Sequence, residues 1–424
     1  MEEKAVAAAE PTNHVNVTSS STASYELHAE SLHNSELDNL LAKNETHNIA
    51  TPIKPLHSTR DEFLTLEKLS NEIEETVDSS SSQRVRPINF SAPDILVPHV
   101  SYELLNQVTD NFSDAPYQAG GSRLGAGAYG VVYKAALPMH LLIKKQNAND
   151  QEIILDTNYL ENTTQEDTKE IAIKKLNFSG GRVDEQFKVE VEMLSSCNHP
   201  NLLSLEGYSC DGPHWCLMYA YMVYGNLQDR LSCTADTQPL TPQQRLVIGH
   251  GTAKGLAYLH TFRETPMIHR DVKSANILLD EHFLPKLGDF GLLRIGSRGA
   301  HTETLVKTTT VFGTSAYMAP EAFRGDVSTK LDTFSYGVVL LELLTGLPPY
   351  DEHRDGRDLL SHIEGADDTP DSLCDSKGAP WPNGLPKALL DLAMLCFDDK
   401  KSRPSMIDVV RKWQPLVDKW TGFD

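Results

Sequence analysis

The residues best suited to chemistry lie in Ile268-His269-Arg270-Asp271-Val272-Lys273-Ser274-Ala275-Asn276-Ile277-Leu278-Leu279, with Asp289-Phe290-Gly291 a short distance on. Asp271 is a carboxylate that can accept the proton of an attacking hydroxyl. Lys273, two residues later, can neutralise charge on a phosphoryl group in transfer. Asn276 and Asp289 offer the oxygen donors that Mg²⁺ prefers. Any one of these is an ordinary polar side chain. The ordered combination H-R-D-x-K-x-x-N followed by D-F-G has a very low chance rate.

A second group lies upstream. Leu124-Gly125-Ala126-Gly127-Ala128-Tyr129-Gly130-Val131-Val132 is a G-x-G-x-x-G-x-V pattern, and VVYKA continues it as a strand rather than a helix. That suits a glycine hairpin folded over phosphates, because backbone N–H groups can approach oxygens where no Cβ intervenes. Alone, the pattern is a weak signal. Ile171-Ala172-Ile173-Lys174 then reads as a short strand ending in a lysine. Glu190 follows in the helical run Val183 to Leu194, whose apolar face includes Phe187, Val191 and Leu194. A buried Lys174–Glu190 pair could hold the ammonium towards phosphates. His140-Leu141-Leu142-Ile143-Lys144-Lys145 imitates the same strand, but its Leu142 stands where Ala172 is small enough to lie over a base.

The elements that must position these residues occupy only part of the chain. Residues 1–100 contain no Gly, Cys or Trp, only Tyr25, Phe63 and Phe90 as aromatics, and 7 basic against 16 acidic residues. Such a composition predicts a disordered acidic, Ser/Thr-rich region, with Tyr25 to Leu41 and Asp61 to Val77 as candidate transient helices. From about residue 101 the apolar periodicity, the glycines and all four tryptophans predict one folded domain. A polar insertion, about 137–170, rich in Asn, Asp, Gln and Glu, interrupts it between two strands.

Taken together, these motifs resemble a eukaryotic protein kinase over roughly residues 120 to 415. Gly313-Thr314 and Tyr317-Met318-Ala319-Pro320-Glu321 resemble the end of an activation segment, and Asp332, Ser335 and Gly337 resemble the start of a central helix. Arg403 resembles the arginine that pairs with Glu321. Within kinases the finer resemblance is to the Pelle and interleukin-1-receptor-associated kinase family. It is carried by SYELLNQVTDNFSDAP (101–116), GGSRLGAGAYGVVYKA, IAIKKL, CLMYAYM (216–222), DRLSC (229–233), HRDVKSANILLD, GTSAYMAPEA and YGVVLLELLTGLPPYDEH. The resemblance implies a bilobal α+β fold over 118–420, with a small β-rich N-lobe and a larger helical C-lobe. It also implies ATP and Mg²⁺ as cofactors and Ser/Thr-bearing protein substrates. Leu124, Gly125, Gly127 and Gly130 would cover the phosphates, and Tyr219 would stand at the gatekeeper. Tyr221 and Met222 would form the hinge that binds adenine, with Val132, Ala172 and Leu278 packed on the base. Arg270, directly before Asp271, implies switching by phosphorylation at Thr308 or Thr309, with Thr302, Thr304 and Thr310 as weaker candidates. The first hundred residues do not resemble the helical death domain through which that family docks on adaptors.

Composition narrows the setting. A net charge of -21 argues against nucleic acid and anionic lipid as partners. No apolar run approaches a membrane span, so direct membrane insertion is not expected. Six cysteines without C-x-x-C spacing read as reduced thiols. With Met-Glu-Glu-Lys at the start and no signal core, the expected compartment is the cytoplasm. The expected function is an ATP-dependent Ser/Thr kinase of a Toll/interleukin-1-receptor-type innate immune pathway, with an adaptor or receptor complex as partner. Its rivals are a plant-type receptor-like cytoplasmic kinase, a scaffolding pseudokinase, and an interaction module carried by the tail. The SCDG, CLMYAYM and DRLSC combination tilts towards the animal branch.

Overall fold

Alternating side chains build the smaller lobe. In the computed structural model, β1 (Arg123–Gly127), β2 (Gly130–Pro138), β3 (Thr168–Leu176), β4 (Leu205–Ser209) and β5 (Cys216–Ala220) form an antiparallel sheet in the order β1-β2-β3-β5-β4. Tyr133, Ala135 and Leu137 of β2, Ile171 and Ile173 of β3, and Cys216 and Met218 of β5 bury one face. The residues between them, Val132, Lys134, Ala172, Lys174, Leu217 and Tyr219, take the other, as a period of two requires. The registers Val132↔Lys174 and Ala172↔Tyr219 bring the predicted ligand-facing side chains into one row. The residues described are 95–127, 130–142, 168–177, 181–295, 315–366 and 368–420, with backbone alone at 181–186 and 295. All belong to the unit Gln83–Asp424.

Two boundaries differ from the sequence expectation. The tail does not extend to residue 100: Val97 and Val100 are buried, and His99 bridges Tyr208 of β4 in parallel. The Val100 N–H donates to the Tyr208 carbonyl at 2.9 Å, and the Tyr208 N–H to the Pro98 carbonyl at 3.1 Å. This short run covers the otherwise unpaired edge of β4. Averaging composition over a hundred residues hid the apolar ILVPHV that does it. The insertion is also shorter than 137–170, because Leu137 and Pro138 complete β2 and Thr168 to Glu170 open β3, paired Pro138↔Thr168 through Ala136↔Glu170. Residues 143–167, like the proposed tail 1–94, lie outside the described residues.

After the edge run, α1 (Tyr102–Val108) is capped by Ser101, whose hydroxyl accepts the Leu104 N–H. It lays Leu104 and Leu105 on the outer face of the sheet beside Phe112. The opposite face receives α2 (Gly181–Leu194) through Phe187, Val191 and Leu194.

The larger lobe comprises α3 (Leu227–Leu231), α4 (Pro242–Thr261), α5 (Thr329–Thr345), α6 (Leu359–Gly365), α7 (Leu385–Leu395) and α8 (Met406–Trp420). Two short strand pairings accompany these helices among the described residues: β6 (Met267–Ile268) with β9 (Arg294–Ile295), and β7 (Ile277–Leu279) with β8 (Pro285–Leu287). Helix α4 starts at a capping box in which Thr241 and Gln244 bond reciprocally, with Pro242 in the first turn. Helix α5 is buried along nearly its whole length, as an apolar helix at the centre of a lobe must be. Among the described residues, no helix is long and apolar enough to cross a membrane.

Candidate active site

The loop between β6 and β7 is held by one buried carboxylate. Asp332, in the first turn of α5, accepts the N–H of His269 and the N–H of Arg270, each at 2.8 Å, and a contact of 2.8 Å from His260 Nε2. Burial pushes its pKa up, but His260, His269 and the Arg270 N–H outweigh this and hold it below the ordinary Asp value. Arg270 sits at φ 68, a left-handed conformation that these bonds fix. His269 Nε2 lies 3.1 Å from the Gly288 carbonyl, which can only accept, while Nδ1 accepts the Asp271 N–H at 3.3 Å. These partners assign the proton to Nε2. The same helix accounts for the rest of D-x-x-S-x-G. Ser335 Oγ donates to the Tyr317 carbonyl at 2.7 Å, and a side chain at Gly337 would collide with Cys396 and Phe397.

Asp271 and its neighbours form a tight group. Lys273 Nζ donates to Asp271 Oδ2 at 2.8 Å, and Asn276 Nδ2 donates to the same oxygen at 2.9 Å and to the Asp271 carbonyl at 2.8 Å. Both side-chain bonds fall on Oδ2, which presents Oδ1 to an incoming hydroxyl. The Asn276 amide nitrogen is engaged, so its oxygen is the atom left to ligate a cation.

Across the cleft, Lys174 Nζ meets Asp289 Oδ1 at 2.8 Å. Burial drives the Asp289 pKa up, but the charge and hydrogen bond of Lys174, with His269 and Lys273, bring it below the ordinary value. Asp289 is therefore a carboxylate at neutral pH, and it stands in the left-handed region at φ 59. The expected Lys174–Glu190 pair takes a different form. The Tyr219 hydroxyl donates to Glu190 Oε1, and Lys174 acts on Glu190 through its charge. Burial raises the Glu190 pKa and the Lys174 charge opposes that rise. Tyr219 is raised well above its ordinary value by burial and by Glu190.

Lys174, Tyr219, Asn276 and Asp289 border a cavity of about 490 Å³. Leu124, Gly125, Gly127, Gly130, Val132, Ala172, Lys174, Tyr219, Tyr221, Met222, Leu278, Asn276 and Asp289 line it, while Glu190, Asp271 and Lys273 do not. The three glycines separate by cause. A Cβ at Gly130 would lie 2.2 Å from the Lys175 carbonyl oxygen, so the strand crossing itself demands glycine. At Gly125 and Gly127 a Cβ would meet nothing. The fold leaves those two positions open on the cavity, where a phosphate-bearing ligand needs bare backbone. In the hinge, the Tyr221 N–H donates to the Glu170 carbonyl at 3.3 Å, and the Met222 carbonyl accepts the Gly225 N–H at 3.1 Å. The N–H of Met222 is thus the better-placed donor for a base.

The donor set fits ATP and Mg²⁺. An ionised Asp289 and the Asn276 amide oxygen are hard oxygen donors on one wall, and Lys174 supplies positive charge beside them. Thr308 and Thr309 lie outside the described residues, as do Lys144 and Lys145. Several features were missed from the sequence. Tyr117, Gln118, Leu203, Asn226 and Asp229 also line the cavity. Glu342, Ser274 and Tyr317 form a buried ring: Ser274 Oγ contacts Glu342 Oε1 at 2.7 Å, Tyr317 Oη contacts Glu342 Oε2 at 2.9 Å, and the two hydroxyls lie 3.0 Å apart. The pairing foreseen for Arg403 is present, with its Nη1 2.5 Å from Glu321 Oε1.

Comparison with known proteins agrees with this geometry. The protein kinase domain family matches residues 158–413. The chain belongs to that family. The match begins inside the polar insertion, so the glycine hairpin lies upstream of it. The chain is 38% identical over 283 residues to the probable serine/threonine-protein kinase PBL7 of Arabidopsis thaliana, covering 62% of this chain and 72% of that protein. It is 33% identical over 361 residues to the serine/threonine-protein kinase pelle of Drosophila melanogaster, covering 81% and 64%. A probable LRR receptor-like serine/threonine-protein kinase of Arabidopsis thaliana is 36% identical over 326 residues, covering 75% of this chain and 32% of the relative. The chain thus spans about a third of the receptor-like kinase.

Proposed function

We propose that this protein transfers the γ-phosphate of ATP to Ser or Thr hydroxyls of protein substrates, and that the kinase unit is 118–420 preceded by the edge run from residue 95. The observation that carries the reading is the convergence of Asp271, Lys273, Asn276, Asp289 and Lys174 around one cleft. In this reading a substrate hydroxyl gives its proton to Asp271 as its oxygen takes the phosphoryl group, and the bond to the ADP oxygen breaks. Lys273 offsets the charge that develops. Lys174 holds the phosphates, Glu190 and Tyr219 buttress that end, and Met222 with Tyr221 receives the base between Val132, Ala172 and Leu278. Asn276 and Asp289 would hold Mg²⁺, which when bound neutralises phosphate charge. A scaffold without catalysis would have no need of the full set.

The proposed setting is an intracellular, Pelle-like signalling pathway of the Toll/interleukin-1-receptor type, with cytoplasmic location and an adaptor or receptor complex as partner. It is supported by the pelle alignment, which takes in 81% of this chain against 62% and 75% for the two plant relatives named. A plant-type cytoplasmic kinase is the alternative, favoured by the higher identity to PBL7.

A radiolabelled ATP assay with a generic basic protein substrate tests the activity. Asp271→Ala should lower the rate by about a hundredfold or more with little change in nucleotide affinity. Full activity in that variant would remove the assignment. Peptide mapping of the same wild-type reaction should find phosphate at Thr308 or Thr309, which a charge-assisted pair with Arg270 would hold.

A further inference from the structure

The nucleotide cavity has a wall built from chain that precedes the first strand. Pro116 leads into a 3₁₀ turn, Tyr117–Ala119, closed by Gly120 in the left-handed conformation. The Pro116 carbonyl accepts from both the Ala119 and Gly121 N–H groups, at 2.9 and 3.0 Å, and the Arg123 N–H returns to the Ala115 carbonyl at 3.2 Å. The turn is therefore closed on itself. It places Tyr117 and Gln118 against the cavity.

Lys134 fastens that wall. In β2 it lies two residues beyond Val132, so it points to the same ligand-facing side of the sheet and stands further towards the mouth. Its Nζ is 2.6 Å from Glu170 Oε1 and 3.1 Å from the Tyr117 hydroxyl. It also lies 4.8 Å from the Tyr117 ring centroid and 4.0 Å from that of Tyr221. One ammonium, with only 12% of its side chain exposed, thus pins together a hinge tyrosine and a tyrosine from the preceding segment. The phosphate end of the cavity is marked by Lys174 and Asp289. Tyr117, sharing its cation with the hinge, is at the opposite end.

From this geometry we infer that Tyr117 is a nucleotide-binding residue, an aromatic wall for the nucleoside end of ATP, held in place by Lys134 and Glu170. The inference rests on the kinase reading above and extends the binding site to chain upstream of the glycine hairpin. A ring that covers the nucleoside contributes by contact area and aromatic stacking. Its removal should weaken binding about three- to tenfold. Because it touches the nucleoside and not the phosphates, adenosine, ADP and ATP should lose affinity by the same factor.

The test uses the full chain as wild type, Tyr117→Ala and Tyr117→Phe, with thermal melting as a check on folding; Tyr117 is 41% exposed, so truncation leaves little void. Binding of adenosine and of ADP is measured by calorimetry, and KM for ATP and kcat by the radiolabel assay. Tyr117→Ala should raise the dissociation constants of adenosine and ADP and the KM for ATP in parallel, with kcat within about twofold of wild type. Tyr117→Phe, which keeps the ring and loses the hydroxyl bond to Lys134, should fall between the two. Unchanged affinity in a folded Tyr117→Ala protein would overturn the inference while leaving the kinase reading intact. A loss seen for ADP but not adenosine would also overturn it, since the tyrosine would then act at the phosphates. Failure of the wild type to bind any of these ligands would instead remove the kinase reading itself.

Discussion

At Gly125 and Gly130 the same residue type serves two different ends, and substitution separates them. A methyl at Gly130 drives into the Lys175 carbonyl, 2.2 Å away, and must displace the β2–β3 ladder. Gly130→Ala should therefore lower stability by about 1–3 kcal/mol, read as a shifted urea midpoint. Gly125→Ser finds open space, so its midpoint should match wild type while the KM for ATP rises several-fold. A Gly125→Ser protein that unfolds early, with unchanged KM, would reverse the roles assigned to the two positions. Spacing alone could not make this distinction, because G-x-G-x-x-G treats its glycines alike. It did favour Lys174 over Lys144 and Lys145, which lie outside the described residues, through the small Ala172 two residues before it. That pattern is local, a period of two within one strand, and local patterns are what a sequence displays. The Tyr117 wall was not legible for the opposite reason: its meaning depends on Lys134, seventeen positions later, reaching back across a turn.

Helix α5 shows what an element does beyond filling the core. Its first turn fixes the catalytic loop through Asp332, its second holds the Tyr317 carbonyl through Ser335, and near its end Glu342 closes the ring with Ser274 and Tyr317. Proton counting bears on that ring. With Glu342 ionised, both hydroxyls donate to the carboxylate and no proton remains for the 3.0 Å contact between them. With Glu342 neutral, the three oxygens in sequence each donate once, and every edge carries a proton. Burial raises the Glu342 pKa to about 8, in the same sense, against the lowering effect of Ser274 and Tyr317. An acid whose folded pKa exceeds its unfolded value of 4.5 binds more protons when folded across that interval. Its contribution to stability is fully present below pH 4.5 and is lost as pH rises through about 8. Glu342→Gln should accordingly flatten the fall in melting temperature between about pH 5 and pH 8. A variant curve parallel to wild type over that range would show that Glu342 is ionised in the folded protein. D-x-x-S-x-G announced the start of α5 in the sequence. The ring did not announce itself, because its members are drawn from three segments 25 to 68 positions apart and share no periodicity.

For the molecule as a whole, the two lobes meet at more than the hinge. The Leu203 N–H donates to the Leu287 carbonyl at 2.8 Å, the Leu287 N–H to the Asn201 carbonyl at 3.0 Å, and Lys174 reaches Asp289 across the cleft. The bilobal class was readable because the motifs occur in order along the chain. The edge run 95–100 was lost in an average, and the C-terminal end of the insertion was misplaced because the strand residues Thr168 and Lys169 are themselves polar. Pairing of Pro138 with Thr168 has a consequence for chain entropy. The ends of the long connection are already neighbours, so its length acts mainly through loop closure, at about 0.6 kcal/mol per doubling. Replacing 143–167 by three or four Gly and Asn residues, with the buried Leu142 retained, shortens the connection by about two halvings and should add ~1 kcal/mol of stability. The shortened protein should melt higher with an unchanged KM for ATP, and a lower melting point would mean that the excised residues contribute contacts of their own. The strands that end at Pro138 and Thr168 also carry Val132, Lys134, Ala172 and Lys174. A foreign domain spliced in at that junction would have its two termini wired to the nucleotide pocket, so that stretching or compacting it would be felt there as a mechanical input.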